Sequence, residues 1–233
     1  MKKIKHYISS KQEVFADFLS HFPSLSENDQ RLLFNESLIK FYDKGENLYF
    51  QDDKLFGSYY IYSGIIKIYQ TGSEGKEQII RFSNSKELIA FRSVINQELA
   101  CTSAKAIVES LMLYIPSKLL IKLLKSNSEF AFQMIRIVCS ELGESNGYIT
   151  DIAQKSVKRR LAEILVKLTN SFGLDNEMVL KLSISREELA NMVGTATETV
   201  IRIMKEFKNE KIIESRGRKL LILNLDRLKE ISR

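Results

Sequence analysis

The sequence contains little cysteine, histidine, glycine and proline, and it has no tryptophan. Its two cysteines, Cys101 and Cys139, lie far apart and match no metal-ligand spacing, which predicts a reduced cytoplasmic setting. No uncharged apolar run is long enough to span a bilayer, and the N-terminal MKKIKHYISSKQEVF has no long apolar stretch after its lysines. We therefore expect neither a signal peptide nor a membrane partner.

What is present is the composition of a globular protein with a sizeable core. Of the 233 residues, 44% are hydrophobic and 27% are charged, and this length suits two domains. Residues 1–154 hold 18 basic and 18 acidic side chains, whereas residues 155–233 hold 17 basic and 11 acidic ones. The net charge of +6 therefore comes from the last third, as in a neutral domain fused to a polyanion binder, although a surplus of this size is also common.

The segment from residue 41 to 116 has strand character. Short β-branched and aromatic runs, separated by glycine or polar clusters, read NLYF, SYYIYSG, IIKIYQTG, EQIIRFS, ELIAF and AIVESLMLYIP. Several strands at this close and regular spacing predict a small antiparallel barrel or sandwich.

From about Ser117 the hydrophobic period becomes helical, and a long helix is predicted from about Ser128 to Gln154. Its seam residues recur at alternating spacings of four and three: Ala131, Ile135, Val138, Leu142, Ser145, Ile149 and Ile152. Such a heptad is typical of a parallel two-helix dimer interface, and packing of the helix on its own domain is the alternative. Gly143 and Gly147 lie outside the seam and weaken the helix by about 1 kcal/mol each.

The stretch SREELANMVGTATETVIRIMKEF predicts two short helices joined by a tight turn. SREE and TATE both match the capping-box pattern, with Ser185 and Thr195 as the caps. Gly194 suits a turn that needs a positive φ. In the second helix one face is apolar and the opposite face is left free. The apolar face consists of Val200, Ile203, Met204 and Phe207.

The run IIESRGRKLLIL predicts a β-hairpin with Gly217 near its tip, which makes the motif a winged helix-turn-helix. Basic side chains crowd that tip, where they would meet phosphates. The predicted DNA-contacting residues are Thr195, Thr197, Glu198, Thr199, Ile201, Arg202, Lys205, Arg216, Arg218 and Lys219.

A second helix begins at about Lys155, so the domain boundary is placed near residues 154–156. The predicted fold is α+β. Residues 1–154 form a sensor domain with an antiparallel β-barrel and a dimerisation helix (about 128–154), and residues 155–233 form the winged helix-turn-helix domain.

This order of elements resembles the Crp/Fnr family of bacterial transcription regulators. KGENLYFQDD and YYIYSGIIKIYQTGSEGKEQIIRF resemble its cyclic-nucleotide-binding barrel, and SREELANMVGTATETVIRIMKEFKNEKIIESRGRKLLIL resembles its DNA-binding signature. The resemblance covers roughly Phe41 to Asp226. It implies a homodimer that binds an inverted repeat in double-stranded DNA, responds to a small effector and works with RNA polymerase.

The resemblance also assigns base contacts to Glu198 and Arg202 on the recognition helix. An arginine can pair bidentately with guanine and a glutamate can accept a hydrogen bond from cytosine. The alternatives are a capping role for Glu198 and a solvated or phosphate-bound Arg202. Some relatives carry an additional arginine where this chain has Thr197, so one guanine contact of that subgroup is absent.

The sensor departs from the family pattern. Cyclic-nucleotide-binding members carry Gly-Glu for the ribose and Arg-Ser or Arg-Thr for the phosphate, where this chain has Ala90-Phe91 and Ala100-Cys101. Without that arginine a buried phosphate has no fixed cation, so cyclic AMP is not the expected effector. Arg92 is a candidate for another anion, or a surface arginine.

In the family, a polar pair on the dimer helix contacts the nucleotide base, and it corresponds to Ser145 and Asn146 in this chain. The pair could bind another ligand here, or it could mark a loosened part of the helix. The candidate effector pocket is thus Phe91, Arg92, Ala100, Cys101, Thr102, Ser145 and Asn146. An iron–sulfur cluster needs about four cysteines, so none is expected. His6 and His21 lie outside the barrel segment and have no metal-ligand spacing, and no metal or other cofactor is predicted.

Three functional classes remain at this point. The first is a dimeric transcription regulator, either gated by a small effector or constitutive with a vestigial sensor. The second is a cyclic-nucleotide-responsive module whose output is not DNA binding, which the basic wing disfavours. The third is an enzyme. The sequence has no nucleophile–base constellation, metal-ligand spacing or phosphate-cradling glycine loop, so no catalytic activity is predicted.

Overall fold

A computed structural model of the chain describes residues 2–233, with side chains described from residue 11 onward. The chain divides into two compact units. The first comprises Met1–Lys76 and Ile80–Leu142, and the second comprises Glu77–Ile79 and Gly143–Arg233. No helix within the described residues is long and apolar enough to cross a lipid bilayer.

Residues 38–116 contain two four-stranded sheets, with the strand orders β1-β8-β3-β6 and β2-β7-β4-β5. Pairings within the first sheet are antiparallel, with Tyr60 of β3 opposite Leu113 of β8. The predicted antiparallel β-domain is therefore confirmed. The strands are β1 (Leu38–Tyr42), β2 (Asn47–Tyr49), β3 (Gly57–Ser63), β4 (Ile66–Thr71), β5 (Glu77–Ser83), β6 (Leu88–Ile89), β7 (Ser103–Ala106) and β8 (Ser110–Pro116).

Alternation along β3 separates two hydrophobic clusters, because successive side chains of a strand point to opposite faces. Tyr59 and Ile61 belong to an inner cluster, whereas Tyr60 belongs to a cluster formed with the helices. The inner cluster consists of Tyr42, Tyr49, Tyr59, Ile61, Ile66, Ile68, Ile89, Ala100, Ala104, Ala106 and Met112. Aromatic rings thus fill much of this interior, and the ring centroid of Tyr59 lies 6.2 Å from that of Tyr49.

Helices cover the other face of the first sheet. Phe18 and Phe22 of α1 and Phe130 of α5 pack around Tyr60, and the Phe18 and Tyr60 rings meet edge to face at 5.1 Å. The elements of this layer are α1 (Lys2–His21), α2 (Glu27–Glu36), α3 (Phe91–Asn96), α4 (Ser117–Ser126) and the start of α5 (Ser128–Gln154). The bounds of α5 match the predicted long helix.

The second unit is built on buried apolar faces of short helices. Leu161 and Leu165 of α6, Leu189 of α7, Phe207 of α8 and Leu228 of α9 are fully buried. Its elements are α6 (Val157–Phe172), α7 (Arg186–Val193), α8 (Thr197–Asn209), β9 (Ile213–Arg216), β10 (Lys219–Ile222) and α9 (Leu225–Ser232). Residues 154–156, where the domain boundary is predicted, lie at the junction of α5 and α6, whereas the compact units divide between Leu142 and Gly143.

Ala90, at the start of α3, adopts the left-handed conformation with φ of 66°. A non-glycine residue pays about 1–2 kcal/mol for this conformation. We expect Ala90→Gly to raise the free energy of unfolding by about 1 kcal/mol, measured by urea denaturation. The control is Ala16→Gly on the exposed face of α1, which should lower it by about 1 kcal/mol. Destabilisation by both variants would refute the strain at Ala90.

Candidate nucleic-acid interface

Helix α7 begins and ends as the sequence predicts. The Glu188 amide donates to Ser185 Oγ at 3.0 Å and the Ser185 amide donates to Glu188 Oε2 at 2.8 Å, which completes a capping box. Gly194 follows the helix with φ of 72°, and its amide donates to Ala190 O at 2.9 Å. The glycine is required here because a left-handed residue closes the helix.

The second predicted capping box is wrong. Helix α8 begins at Thr197 with Ala196 as its N-cap, and no side chain caps it there. The Thr195 amide donates to Ala190 O at 3.2 Å, so Thr195 closes α7 instead of opening α8. Glu198 is then an exposed residue in the first turn, where its charge favours the positive end of the helix dipole. The capping-box alternative for Glu198 is thereby removed.

Helix α8 has the two predicted faces. Val200, Ile203, Met204 and Phe207 are buried against the rest of the unit, which confirms the apolar face. On the opposite side four side chains are exposed, namely Glu198, Ile201, Arg202 and Lys205. Three threonines near the start of the helix are half-buried: Thr195, Thr197 and Thr199. The exposed face therefore combines both charge signs with one apolar residue, which are types of side chain that can contact base edges.

In the free protein Arg202 forms a weak, exposed ion pair. Its guanidinium lies 2.7 Å from Glu206 Oε1 one turn along α8, and its side chain is 67% exposed. Lys158 of α6 also donates to Glu206, at 3.2 Å. An exposed pair at this spacing is worth about 0.3–0.5 kcal/mol, less than the roughly 1–3 kcal/mol of a bidentate guanine contact. Arg202 can therefore leave Glu206 for an external partner with little loss of stability.

The hairpin after α8 forms the predicted wing. Arg216 of β9 lies directly opposite Lys219 of β10, and Gly217 and Arg218 form the two-residue loop between them. Gly217 has φ of 63°, as such a loop requires. Arg216, Arg218 and Lys219 are all exposed. Like charges directly opposite each other destabilise a hairpin, so this arrangement favours a polyanionic partner at the tip.

The wing is tied to the start of α7 through a residue that the sequence analysis missed. Arg186 Nη1 donates to Gly217 O at 2.8 Å, and Arg218 Nη2 lies 4.0 Å from Glu188 Oε2. Because Arg186 directly follows the Ser185 cap, the sequence showed it only as part of the capping-box pattern. These contacts hold the wing tip beside α7.

A stripe on α5 is exposed along the predicted seam. The exposed fractions are 55% for Ile135, 59% for Leu142 and 65% for Ile149, and Val138 and Ile152 are also exposed. Among the described residues of α5, only Phe130 and Met134 are buried. The stripe is therefore not packed on its own domain, which was the alternative interpretation of the heptad. We call Ile135, Val138, Leu142, Ile149 and Ile152 the α5 stripe.

The structure does not bring the predicted effector residues of the β-domain together. Phe91 is buried in the cluster formed with the helices, whereas Ala100 is buried in the inner cluster of the sheets. Arg92 is exposed on α3, and Cys101 and Thr102 are half-buried. Phe91 thus faces away from the barrel interior because it begins the outward-packed helix α3. On α5, Ser145 and Asn146 are exposed.

A different cation, Arg81 of β5, lies within the first unit beside α5. Its Nη1 is 2.5 Å from Glu87 Oε2 and its Nη2 is 2.8 Å from Glu141 Oε1 of α5. No pattern in the sequence indicates this triad, because Glu141 lies 60 residues beyond Arg81 in the chain. One arginine between two carboxylates leaves a local excess of negative charge, which disfavours an anionic ligand there.

Tyrosines dominate the titratable groups of the barrel interior. Burial raises the pKa of Tyr49 to about 12, with a smaller opposing effect from a hydrogen bond to Thr102. Burial likewise raises the pKa of Tyr59 and Tyr114. These phenols remain neutral at physiological pH. Within the part of the chain that the structure describes, no group of three or more His, Cys, Asp or Glu residues is arranged to hold a metal ion.

The capping box of α7 supports the candidate interface directly, so its loss is measurable. We expect Ser185→Ala to lower the free energy of unfolding by about 1 kcal/mol, because the Glu188 amide loses its acceptor. Ser185→Asp should retain stability, since aspartate is an equally good cap. Thermal and urea unfolding of the three proteins provide the comparison. Equal stability of the alanine variant and the parent would contradict the capping role.

Two protein-family descriptions match the two halves of this chain. Residues 39–127 match the cyclic nucleotide-binding domain, and residues 159–231 match the Crp-like helix-turn-helix domain. The first match covers the sheets and α4, and the second runs from α6 to α9.

Known proteins show the same similarity over most of the chain. The fumarate and nitrate reduction regulatory protein of Vibrio cholerae is 27% identical over 191 residues, which is 81% of this chain and 76% of that protein. The transcriptional activator protein Anr of Pseudomonas protegens is 29% identical over 184 residues, covering 78% and 75%. Among solved structures, FixK2 from Bradyrhizobium japonicum shares the fold with a TM-score of 0.75 at 21% identity, covering 84% of this chain and 98% of that one.

Proposed function

Because the chain belongs to the Crp/Fnr family of DNA-binding transcription regulators, we propose that it acts as a homodimer that binds an inverted-repeat DNA site. The single observation that carries the proposal is the exposed α5 stripe. Five large apolar side chains at heptad spacing face solvent on a 27-residue helix. Burying each stabilises an interface by about 1.5–3 kcal/mol, which is ample to pair two helices.

The dimer would place two copies of α8 in successive major grooves about 34 Å apart. Arg202 then pairs with a guanine in each half-site, and Glu198 accepts a hydrogen bond from a cytosine. Ile201 supplies apolar contact, and Lys205 and the threonines at the start of α8 bind nearby backbone or base edges. The basic wing residues Arg216, Arg218 and Lys219 bind phosphates and position the domain.

For the β-domain we propose that any small effector is not cyclic AMP. Neither Ala100 nor Cys101 supplies a cation for a phosphate, and Arg92 is exposed on α3. A second candidate is a constitutive reader with a vestigial sensor. The buried tyrosines Tyr42, Tyr49 and Tyr59 favour it because they occupy interior space that a ligand would need.

The proposed function also implies a cellular location and a protein partner. A DNA-binding regulator works in the cytoplasm of its bacterium, and RNA polymerase is its expected protein partner. We propose that no iron–sulfur cluster takes part, since the chain has two cysteines and such a cluster needs about four.

The dimer is tested by disulfide cross-linking along the α5 stripe. In a background with Cys101→Ala and Cys139→Ser, we expect Val138→Cys to form a covalent dimer on mild oxidation, because a parallel seam brings identical residues together. Glu144→Cys, on an outward position of the same helix, is the matched control and should stay monomeric on a denaturing gel. Failure of Val138→Cys to cross-link, or equal cross-linking by both variants, would contradict a parallel dimer.

A further inference from the structure

The C-terminal end of α7 accepts hydrogen bonds from side chains outside it. Tyr148 of α5 donates its hydroxyl to Met192 O at 3.1 Å, and Arg160 Nε of α6 donates to Val193 O at 3.1 Å. All four residues belong to the second unit. The last carbonyls of a helix have no hydrogen-bond partner within the helix. These two side chains therefore donate to carbonyl oxygens that water or a capping residue would otherwise bind.

The same Arg160 side chain also holds the end of α5. Its Nη1 donates to Lys155 O at 2.8 Å and to Ile152 O at 3.4 Å. A guanidinium presents several donors in a rigid plane and carries a charge that suits the negative ends of helix dipoles. One side chain therefore joins the last turn of α5 to the last turn of α7, next to the Gly194 turn that leads into α8.

Ion pairs fix the joint between α5 and α6 on which this connection depends. Lys155 Nζ lies 2.8 Å from Asp151 Oδ1 and 2.5 Å from Glu163 Oε2, and its side chain is 25% exposed. Glu163 is also paired with Lys167 at 2.8 Å. The backbone that carries Arg160 is thereby held on both sides of the junction.

We propose that Tyr148 and Arg160 are positioning residues that set the direction in which the helix-turn-helix leaves α5, and with it the half-site spacing that the dimer accepts. The inference rests on the proposed dimeric binding of an inverted repeat. Neither residue lies on the exposed face of α8 or on the wing, and both are half-buried. In a two-fold dimer a change of direction at this joint occurs in both copies, so it moves the two recognition helices relative to each other.

The test is the dependence of binding on spacer length. Full-length protein is titrated with duplexes that carry two fixed half-sites separated by spacers varied in single base pairs, and with a duplex in which one half-site is scrambled. The variants are Tyr148→Phe, which removes only the hydroxyl, and Arg160→Lys, which keeps the charge but loses the planar fork. Arg159→Lys, at an exposed neighbouring position on α6, is the control.

We expect the parent and Arg159→Lys to prefer one spacer over its neighbours by about tenfold or more, and each test variant to reduce that preference by up to about tenfold. Affinity for the scrambled duplex should stay the same in all four proteins. A sharp spacer optimum in the parent that both test variants retain overturns the inference and leaves the proposed function intact. Equal losses on every duplex also overturn it, because the residues would then contribute only stability. A parent without any spacer preference contradicts the proposed function, and the inference falls with it.

Discussion

The variant Leu142→Glu is expected to be monomeric and to bind the two-fold DNA site at least about a hundredfold more weakly than the parent. Leu142 lies at the centre of the α5 stripe and is 59% exposed in the single chain. In a dimer it would face its own copy, so the substitution places two carboxylates in an apolar seam. Each copy of the substitution would remove about 1.5–3 kcal/mol of interface stabilisation that comes from burying leucine. Each carboxylate would also bring an unpaired charge into the interface.

The loss of DNA affinity follows from the loss of the partner. Two linked half-site contacts exceed one by roughly 10²–10⁴ in affinity, and a monomer has only one. Sedimentation gives the mass and fluorescence anisotropy gives the affinity. Thr150→Glu, on an exposed position of α5 outside the stripe, is the matched control and should remain dimeric. A dimeric Leu142→Glu protein, or a monomeric one with full affinity, would contradict the proposed interface.

The variant Arg202→Ala is expected to lose discrimination at one base pair of each half-site. A bidentate arginine–guanine contact is worth about 1–3 kcal/mol, which corresponds to roughly tenfold to more than a hundredfold in preference for guanine over the other bases. The pair with Glu206 in the free protein is weaker and does not offset this loss. The measurement is a set of competition titrations with each base substituted in turn at the contacted position.

Arg218→Ala provides the contrast, because Arg218 lies in the wing loop and would contact phosphate. It should weaken binding to every sequence similarly and reduce the slope of log affinity against log salt by about 1. Uniform losses for both variants would mean that Arg202 contacts only the backbone. A base preference that persists in Arg202→Ala would assign the readout to other residues of α8.

Periodic patterns made most of the fold predictable from the sequence. The aromatic run SYYIYSG placed β3 correctly, and the helical period placed α5 within residues Ser128–Gln154. Ser185 and Gly194 marked the ends of α7 because capping and left-handed turns are local, side-chain-specific events. The elements that the sequence analysis did not identify include β1, α3, β7 and α9.

The errors arose where a tertiary contact decides between local alternatives. Thr195 fits a capping box as well as Ser185 does, but its amide bonds back to Ala190 O and α8 begins two residues later. Phe91 ends the run ELIAF, which predicts a strand, yet the chain turns at the left-handed Ala90 and Phe91 packs in the cluster formed with the helices. No pattern in the sequence indicated Arg81 or Arg160, since Glu141 is 60 residues from Arg81 and the acceptors of Arg160 are backbone carbonyls.

In the β-domain, Phe91 and Ala100 of the predicted effector pocket lie in different hydrophobic clusters. The interior of the sheets is lined with tyrosines, and the guanidinium of Arg81, beside α5 in the first unit, is paired with both Glu87 and Glu141. Both features favour DNA binding that needs no added nucleotide.

The most direct test of the account is selection from randomised duplex DNA with the purified, ligand-free protein. The account predicts enrichment of a two-fold symmetric site with a G·C pair in each half-site and half-site centres about one helical turn apart. Repeating the selection with Arg202→Ala should remove the conserved guanine. Enrichment of a motif without two-fold symmetry would contradict the dimeric reader, and no enrichment would contradict binding without an effector.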